Sequence, residues 1–277
     1  MKRAGQGDLV RRAASALVLA PIVLVAVWLG GLLFAGLVAV VAAIVMLEWW
    51  AVTTPHRPRR ARGLDPAATI TAVAAGAAPL AMAAGQPVVA ALILIAGAAV
   101  VAFFHRNHLA NWVWPALGIG YAGIPAVALV AVRDLPGGLW MILALMVVVW
   151  ATDSVAYFGG RAIGGAKLWP RVSPGKTWSG AICGLVGGVL AGGIVATIAG
   201  GALMPALAVA AILSIVSQIG DLAESAIKRR FGVKDSGKLI PGHGGVMDRV
   251  DGLLVAAVAA GLLCLAFGAV PAFAPAI

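Results

Sequence analysis

The chain has 277 residues, of which 62% are hydrophobic and 11% are charged, with a formal net charge of +10. A water-covered domain carries far more charge, so this composition excludes a soluble globular protein and makes lipid the solvent for most of the chain. No soluble basic domain is left to bind nucleic acid, and positive-inside topology together with attraction to anionic lipid would produce much of the positive charge. The two cysteines, Cys183 and Cys264, lie in apolar stretches and are interpreted as small hydrophobic residues.

Apolar stretches long enough to cross a bilayer recur along the chain. A crossing needs about 20 apolar residues in a helix, so we predict an all-α, polytopic integral membrane protein with about nine transmembrane helices. The predicted spans are residues 13–29, 32–52, 67–84, 88–104, 112–132, 139–158, 178–199, 202–220 and 250–270. The first stretch is long and a second follows it at once, which favours a retained N-terminus. The Arg11-Arg12 pair before it favours the alternative, a cleaved signal peptide.

The basic residues test this helix count, because Lys and Arg collect in the cytoplasmic loops of membrane proteins. With a cytoplasmic N-terminus and an outside C-terminus, nine spans place all 20 Lys and Arg residues except Arg133 on the cytoplasmic side. A different number of helices would distribute the Lys and Arg residues over both sides of the membrane. We therefore predict that the long polar loops face the cytoplasm.

The distribution of charge divides the chain into two predicted regions. Residues 1–135 carry few acids and are interpreted as five scaffold helices, whereas residues 136–277 contain two long charged loops, 159–177 and 221–249. Function is expected in those two loops. Glu48, the acid within the spans of the first region, lies beside two tryptophans and is interpreted as a capping or snorkelling residue, with catalysis as the alternative.

A stripe of four glycines runs along the seventh predicted helix at a spacing of four. Small residues at this spacing form a smooth face that lets another helix approach closely. We predict helix packing within the chain, with a homodimer interface as the alternative. The stripe consists of Gly180, Gly184, Gly188 and Gly192.

The clearest chemical pattern follows the eighth predicted span, in QIGDLAESAIKRR. If the helix continues, positions i, i+3, i+4 and i+7 lie on one face and stack an acid pair, a hydroxyl and an ammonium group. The four residues are Asp221, Glu224, Ser225 and Lys228. The alternative is a solvated helix face held by ordinary ion pairs.

Two further acids, Asp248 and Asp251, lie where the ninth predicted helix begins. An acid costs about 2.5 to 3.5 kcal/mol at mid-membrane and less near the edge, so a partner must compensate these carboxylates. Four acids from two helix ends offer the oxygen ligands that a hard divalent cation prefers. We predict Asp221 and Asp248 as metal ligands, with Asp251 and Glu224 as further ligands or supporting residues.

The loop between these acids is rich in cations and glycines. Its basic residues can neutralise a polyphosphate, and its glycines let backbone N–H groups approach one closely. His243, within PGHGG, is predicted to donate a hydrogen bond to phosphate, with a structural role as the alternative. The basic residues are Lys228, Arg229, Lys234, Lys238 and Arg249, and the glycines are Gly242, Gly244 and Gly245.

The run SAIKRRFGVKDSGKLIPGHGGVMDRVD, residues 225–251, resembles the signature of the bacterial phosphatidate cytidylyltransferase family. It has the family's Ser, the Lys-Arg pair, the Lys-Asp pair, the Pro before His-Gly-Gly and the closing Asp-Arg-x-Asp. The stretch 151–180 resembles the second marked region of the family, through Asp153, Tyr157 and the Ser-Pro-x-Lys-Thr element at residues 173–177. Two departures from the family pattern are Gly175, where Lys is usual, and Ser179, where Glu is usual.

The resemblance implies a magnesium-dependent enzyme of the bacterial inner membrane that makes CDP-diacylglycerol and pyrophosphate from CTP and phosphatidic acid. The lipid phosphate is the nucleophile in that reaction, so no nucleophilic side chain is needed. The residues expected to act in catalysis are Asp221, Asp248, Lys228 and Arg249. Those expected to bind substrate are Asp153, Tyr157, Ser173, Lys176, Thr177, Ser225, Arg229, Lys234, His243, Gly244 and Gly245.

Other functions fit the sequence less well. A transporter would carry charged or broken helices near mid-membrane in both halves, whereas these acids gather at one face. Another CTP-dependent lipid enzyme stays an alternative, but the Asp-Gly-x-x-Ala-Arg run of CDP-alcohol phosphotransferases is absent. The PGKT sequence resembles a P-loop, yet Pro170 stands where the first glycine belongs and a membrane span precedes it. For Asp153, the alternative to a metal or cytidine contact is a salt bridge to a loop arginine.

Overall fold

The computed structural model describes residues 19–54, 65–104, 113–237, 244–267 and 272–274. Within these residues, eight helices are long and apolar enough to cross a membrane, and a shorter apolar helix precedes them. The predicted all-α, polytopic class is therefore confirmed. The helices are α1 (Leu19–Leu29), α2 (Gly31–Thr53), α3 (Pro66–Ala83), α4 (Pro87–Phe104), α5 (Val113–Asp134), α6 (Gly138–Ile163), α7 (Trp178–Ala199), α8 (Leu203–Arg230) and α9 (Met247–Phe267).

Most helix ends lie close to the predicted ones, and α7 matches its predicted span at both ends. The start of the first predicted span lies outside the described residues. The largest difference is at α8, which ends at Arg230 instead of residue 220. Hydropathy locates only the part of a helix that lies in lipid, whereas good helix formers such as Ala, Glu, Lys and Arg continue α8 beyond its apolar part. The predicted stacking of acid, hydroxyl and ammonium groups along this helix is confirmed.

The sequence predicts a loop between α6 and α7, and the structure adds a short β-hairpin there. Strand β1 (Lys167–Trp169) pairs antiparallel with β2 (Ser173–Thr177). Strand β1 has only three residues, and the five residues of β2 do not alternate apolar with polar side chains, so the sequence contained no strand signal there. Thr177 then ends β2 and caps α7, because its hydroxyl accepts a hydrogen bond from the Gly180 N–H at 3.1 Å.

The chain forms two compact units that interleave in sequence. The first contains residues up to Gly123 together with Phe231–Val250, and the second contains Ile124–Arg230 and Asp251–Ile277. The division expected at residue 135 stays a prediction. The core of the first unit includes Trp49, whose indole N–H donates to the Trp114 carbonyl at 2.7 Å and whose ring lies 4.7 Å from that of Tyr121.

In the second unit, the glycine stripe of α7 packs against α6 and α8. A Cβ atom at Gly184 would lie 2.8 Å from the Thr152 carbonyl oxygen, and one at Gly188 would lie 3.1 Å from the Ser214 side chain. Next to this stripe, the Thr152 hydroxyl donates to Ser214 at 2.8 Å in a buried bond between α6 and α8. The predicted packing role is confirmed. The stripe therefore gives no support to a homodimer, which stays a prediction.

Candidate active site

Asp221 lies at the centre of a charged cluster in the second unit. Its carboxylate, on α8, accepts a hydrogen bond from the Lys176 ammonium on β2 and a longer one, at 3.5 Å, from the Ser225 hydroxyl. The side chains of Asp221 and Lys176 are 30% and 31% exposed. Both side chains are thus partly exposed, and a ligand can reach them.

Two other carboxylates lie within electrostatic range of Asp221. Asp153 on α6 and Asp251 on α9 each interact with it, and Asp251 also interacts with Lys228. The Asp251 carboxylate accepts the Gly252 N–H at 2.7 Å. Four elements, α6, β2, α8 and α9, therefore bring three acids and two lysines together. A cation or a proton relieves the repulsion among these carboxylates, and the two lysines can pair with phosphates.

Glu224 and Lys228 form an ion pair one turn apart on α8, with 2.6 Å between the ammonium nitrogen and a carboxylate oxygen. The Glu224 side chain is 1% exposed and that of Lys228 is 12% exposed. These two residues thus form the ordinary helix ion pair that was the alternative, but Glu224 is buried and Lys228 is half-buried, so the pair does not lie on a solvated face. Metal binding by Glu224 stays a prediction. The ion pair with Glu224 holds the Lys228 ammonium beside the cluster.

Several predicted substrate-binding residues have structural partners in the second unit. The Tyr157 hydroxyl accepts a hydrogen bond from Arg161 at 2.6 Å, and the Arg161 guanidinium lies 5.4 Å from the ring centre. Arg229 donates to the Val172 carbonyl at 3.4 Å and so ties α8 to the hairpin turn. Ser173 pairs with Trp169 in the hairpin. Substrate contacts by Tyr157, Arg229 and Ser173 stay predictions.

The departures at Gly175 and Ser179 have different surroundings. A Cβ atom at Gly175 would meet nothing within 4 Å, so the lysine that is usual there is not excluded by space. The Ser179 hydroxyl donates to the Gly164 carbonyl and shares a 3.0 Å hydrogen bond with the Thr177 hydroxyl. Ser179 therefore closes the base of the hairpin.

Asp248 belongs to the first unit, where backbone N–H groups surround its carboxylate. It accepts from the Ser236 N–H at 3.0 and 3.1 Å and from the Gly245 N–H at 3.0 Å. Gly244 has a φ of +86°, a conformation that favours glycine. The Gly245 N–H, predicted to bind phosphate, is thus donated to Asp248 in this structure, and its phosphate contact stays a prediction.

The remaining loop residues are only partly described. Lys234 and Arg249 are exposed, as expected of side chains that receive a ligand from solvent. His243, Gly242 and Lys238 lie outside the described residues.

Glu48 contacts the same loop, a contact that its local sequence does not predict. It is 8% exposed and accepts hydrogen bonds from the Met247 N–H at 2.7 Å, the Val246 N–H at 3.0 Å and the Ser236 hydroxyl at 3.2 Å. Its predicted capping role is confirmed, but the capped helix is α9 and not its own. The one signal in the sequence was an acid within an otherwise acid-free set of spans.

The donor set near Asp221 is consistent with a magnesium ion. Across the residues that the structure describes, no three His, Cys, Asp or Glu side chains form a ready-made metal site. Mg²⁺ commonly binds only one or two carboxylates and completes its shell with water and substrate phosphates. Asp221 with Asp251 or Asp153 meets that requirement.

The fold and this cluster define a polytopic membrane protein with a charged site of three acids and two lysines. Residues 10–267 match the cytidylyltransferase family, and the chain belongs to that family. The family resemblance carried by residues 151–180 and 225–251 is thus confirmed.

Individual relatives carry a more specific name. A Brucella abortus protein named phosphatidate cytidylyltransferase is 57% identical over 161 residues, which cover 57% of each chain. A Pseudomonas aeruginosa protein of the same name is 39% identical over 254 residues, covering 89% of this chain and 93% of that protein. The chain thus spans 57% of the length of the Brucella relative in the matched region and nearly all of the Pseudomonas relative.

Proposed function

We propose that this protein transfers CMP from CTP to phosphatidic acid, giving CDP-diacylglycerol and pyrophosphate. The observation that carries the proposal is the cluster of Asp153, Lys176, Asp221, Lys228 and Asp251 on membrane-spanning helices and the adjoining hairpin. Membership of the cytidylyltransferase family supports it, as does the name phosphatidate cytidylyltransferase of the relatives from Brucella and Pseudomonas.

In this reaction the protein forms no covalent bond to either substrate. A phosphate oxygen of phosphatidic acid attacks the α-phosphorus of CTP and forms a new P–O–P bond, while the bond to the β-phosphate breaks and pyrophosphate leaves. The nucleophile belongs to the substrate, so catalysis consists of alignment and neutralisation of charge. Lys176 and Lys228 are placed to supply that positive charge at the cluster.

A divalent cation, Mg²⁺, is part of the proposal. Asp221 would hold it together with Asp251 or Asp153, and metal binding by Asp248 stays a prediction. When bound, the ion would offset the negative charge of the phosphates. Glu224 supports the site through its ion pair with Lys228.

An assay of the purified protein tests the proposal directly. In detergent with CTP, phosphatidic acid and Mg²⁺, we expect pyrophosphate and a CDP-lipid to appear in equal amounts. Diacylglycerol in place of phosphatidic acid is the control, since it lacks the attacking phosphate and should give neither product. A product from CDP-alcohol substrates, with none from CTP, would instead support a phosphotransferase. Absence of any CTP-dependent product would reject the proposed function.

We further propose that the site faces the cytoplasm of a bacterial inner membrane, where CTP is made. The support is the asymmetry of Lys and Arg residues between alternate loops. In a background with Cys183 and Cys264 replaced by Ala, a cysteine at Gln86 should react with an impermeant maleimide on intact cells. A cysteine at Lys234 should react only after permeabilisation. Both positions are exposed, so accessibility within the protein does not limit labelling. The reverse pattern would invert the topology.

A further inference from the structure

Glu48, on α2 in the predicted scaffold region, accepts hydrogen bonds from three donors within the signature run, residues 225–251. Its Oε2 atom accepts from the Met247 N–H at 2.7 Å and from the Ser236 hydroxyl at 3.2 Å, and its Oε1 atom accepts from the Val246 N–H at 3.0 Å. Glu48 is 8% exposed, so water does not replace these bonds easily. The donors lie up to 199 residues away in sequence.

The two backbone donors stand at the start of α9. The first N–H groups of a helix have no partner within the helix, and a negative charge next to them is favourable. Glu48 therefore fixes where α9 begins, and Asp248 lies in the first turn of that helix.

Ser236 connects Glu48 to Asp248. Its hydroxyl donates to Glu48, while its backbone N–H donates to the Asp248 carboxylate at 3.0 and 3.1 Å. The packing is tight: a Cβ atom at Gly245 would lie 2.7 Å from the Glu48 Oε2 atom, and one at Gly237 would lie 3.0 Å from its carboxyl carbon. Glycine at these positions lets the loop backbone close around the carboxylate.

We infer that Glu48 is a positioning residue, which holds Ser236 and the first turn of α9 so that the Asp248 carboxylate keeps one orientation. The inference rests on the proposed function and assigns a role in it to the N-terminal region. We assign Glu48 no contact with the reacting atoms. It acts through Ser236 and Met247.

The change Glu48→Gln separates this role from simple space filling. A carboxylate accepts at both oxygens, and both face backbone N–H groups here. An amide keeps the shape but turns one acceptor into a donor, so either the Val246 N–H or the Met247 N–H meets another donor. The loop should therefore loosen although the side-chain volume is unchanged.

Hydrogen–deuterium exchange of the full chain in detergent gives a readout that needs no activity. Glu48→Gln should speed exchange in the peptide covering residues 244–250 by about tenfold or more, the effect of losing one charge-assisted hydrogen bond. Exchange in α7 should stay unchanged. In the assay, the Mg²⁺ concentration for half-maximal rate should rise by about tenfold or more, as for other partners that orient a metal ligand. The KM for phosphatidic acid should stay unchanged.

Asp65→Asn is the matched control. Asp65 is also a buried carboxylate that caps a helix, since it is 7% exposed and accepts the Ala67 N–H at 2.9 Å at the start of α3. This variant removes the negative charge at the start of α3 and should leave both the 244–250 peptide and the Mg²⁺ dependence as in the wild type.

The outcomes are separable. Unchanged exchange in the 244–250 peptide of Glu48→Gln would overturn the inference, and so would an equal effect of Asp65→Asn on the Mg²⁺ dependence. Loosening of the whole protein in Glu48→Gln would also overturn it, because the residue would then be structural only. A wild type without cytidylyltransferase activity would reject the proposed function, while the exchange measurement would still decide whether Glu48 holds the loop.

Discussion

Asp221→Asn is expected to lower the turnover of CTP and phosphatidic acid by at least about a hundredfold, near 2.7 kcal/mol in the activation barrier. Asp221 accepts a hydrogen bond from the Lys176 ammonium and interacts with both Asp153 and Asp251, so loss of its charge affects the whole cluster. The amide keeps the shape and deletes the charge. Metal affinity and neutralisation of the phosphates should therefore fall together. Initial rates at saturating Mg²⁺ measure the effect.

Two further variants make the Asp221 test specific. Asp134→Asn removes an exposed acid at the end of α5 and should leave the rate unchanged. If Lys176 and Asp221 act as a unit, the double variant Lys176→Ala with Asp221→Asn should be little slower than the slower single variant. Near wild-type activity of Asp221→Asn, with normal expression, would exclude Asp221 from the site. The metal would then be assigned to the other acids.

Gly188→Ala is expected to destabilise the protein by about 1 to 3 kcal/mol, the usual cost of an inserted methyl group in a packed core. The new Cβ atom would overlap the Thr152 hydroxyl and lie 3.1 Å from the Ser214 side chain. It would thus disturb the buried hydrogen bond between these two residues as well as the packing of α6, α7 and α8. Thermal unfolding of the detergent-solubilised protein measures the loss as a lower midpoint temperature.

The control for this prediction is Gly36→Ala in α2, where a Cβ atom would meet nothing within 4 Å. Alanine is the better helix former by about 1 kcal/mol, so this variant should be as stable as the wild type or slightly more stable. If Gly188→Ala unfolds at the same temperature as Gly36→Ala, the glycine stripe does not determine the spacing of these helices.

The positions of the helices were predictable because the signal for a membrane span is local. A run of apolar residues either is or is not long enough to cross lipid, whatever its neighbours are. The spans around α3, α4 and α7 accordingly lie within a residue or so of their predicted ends. The stretch Lys167–Thr177 was less predictable, because two strands this short show no alternation and depend on pairing with each other.

The candidate site divides in the same way. The face of α8 that carries Asp221, Glu224 and Lys228 follows from helical spacing alone, and the family follows from motifs that are contiguous in the chain. The ion pair of Lys176 with Asp221 was not predictable, since spacing along one helix says nothing about which side chain of another element lies opposite.

By itself, then, the sequence determined the membrane class, the bounds of most helices, the acid and lysine stripe on α8 and the family. Only the tertiary structure decided which partners the polar groups take: Lys176 for Asp221, and the donors that Glu48 and Asp248 bind. The physical reason is one of range. Hydropathy and helical periodicity are properties of neighbouring residues, whereas a buried carboxylate must find donors wherever the fold brings them, and for Glu48 they lie 188 to 199 residues along the chain.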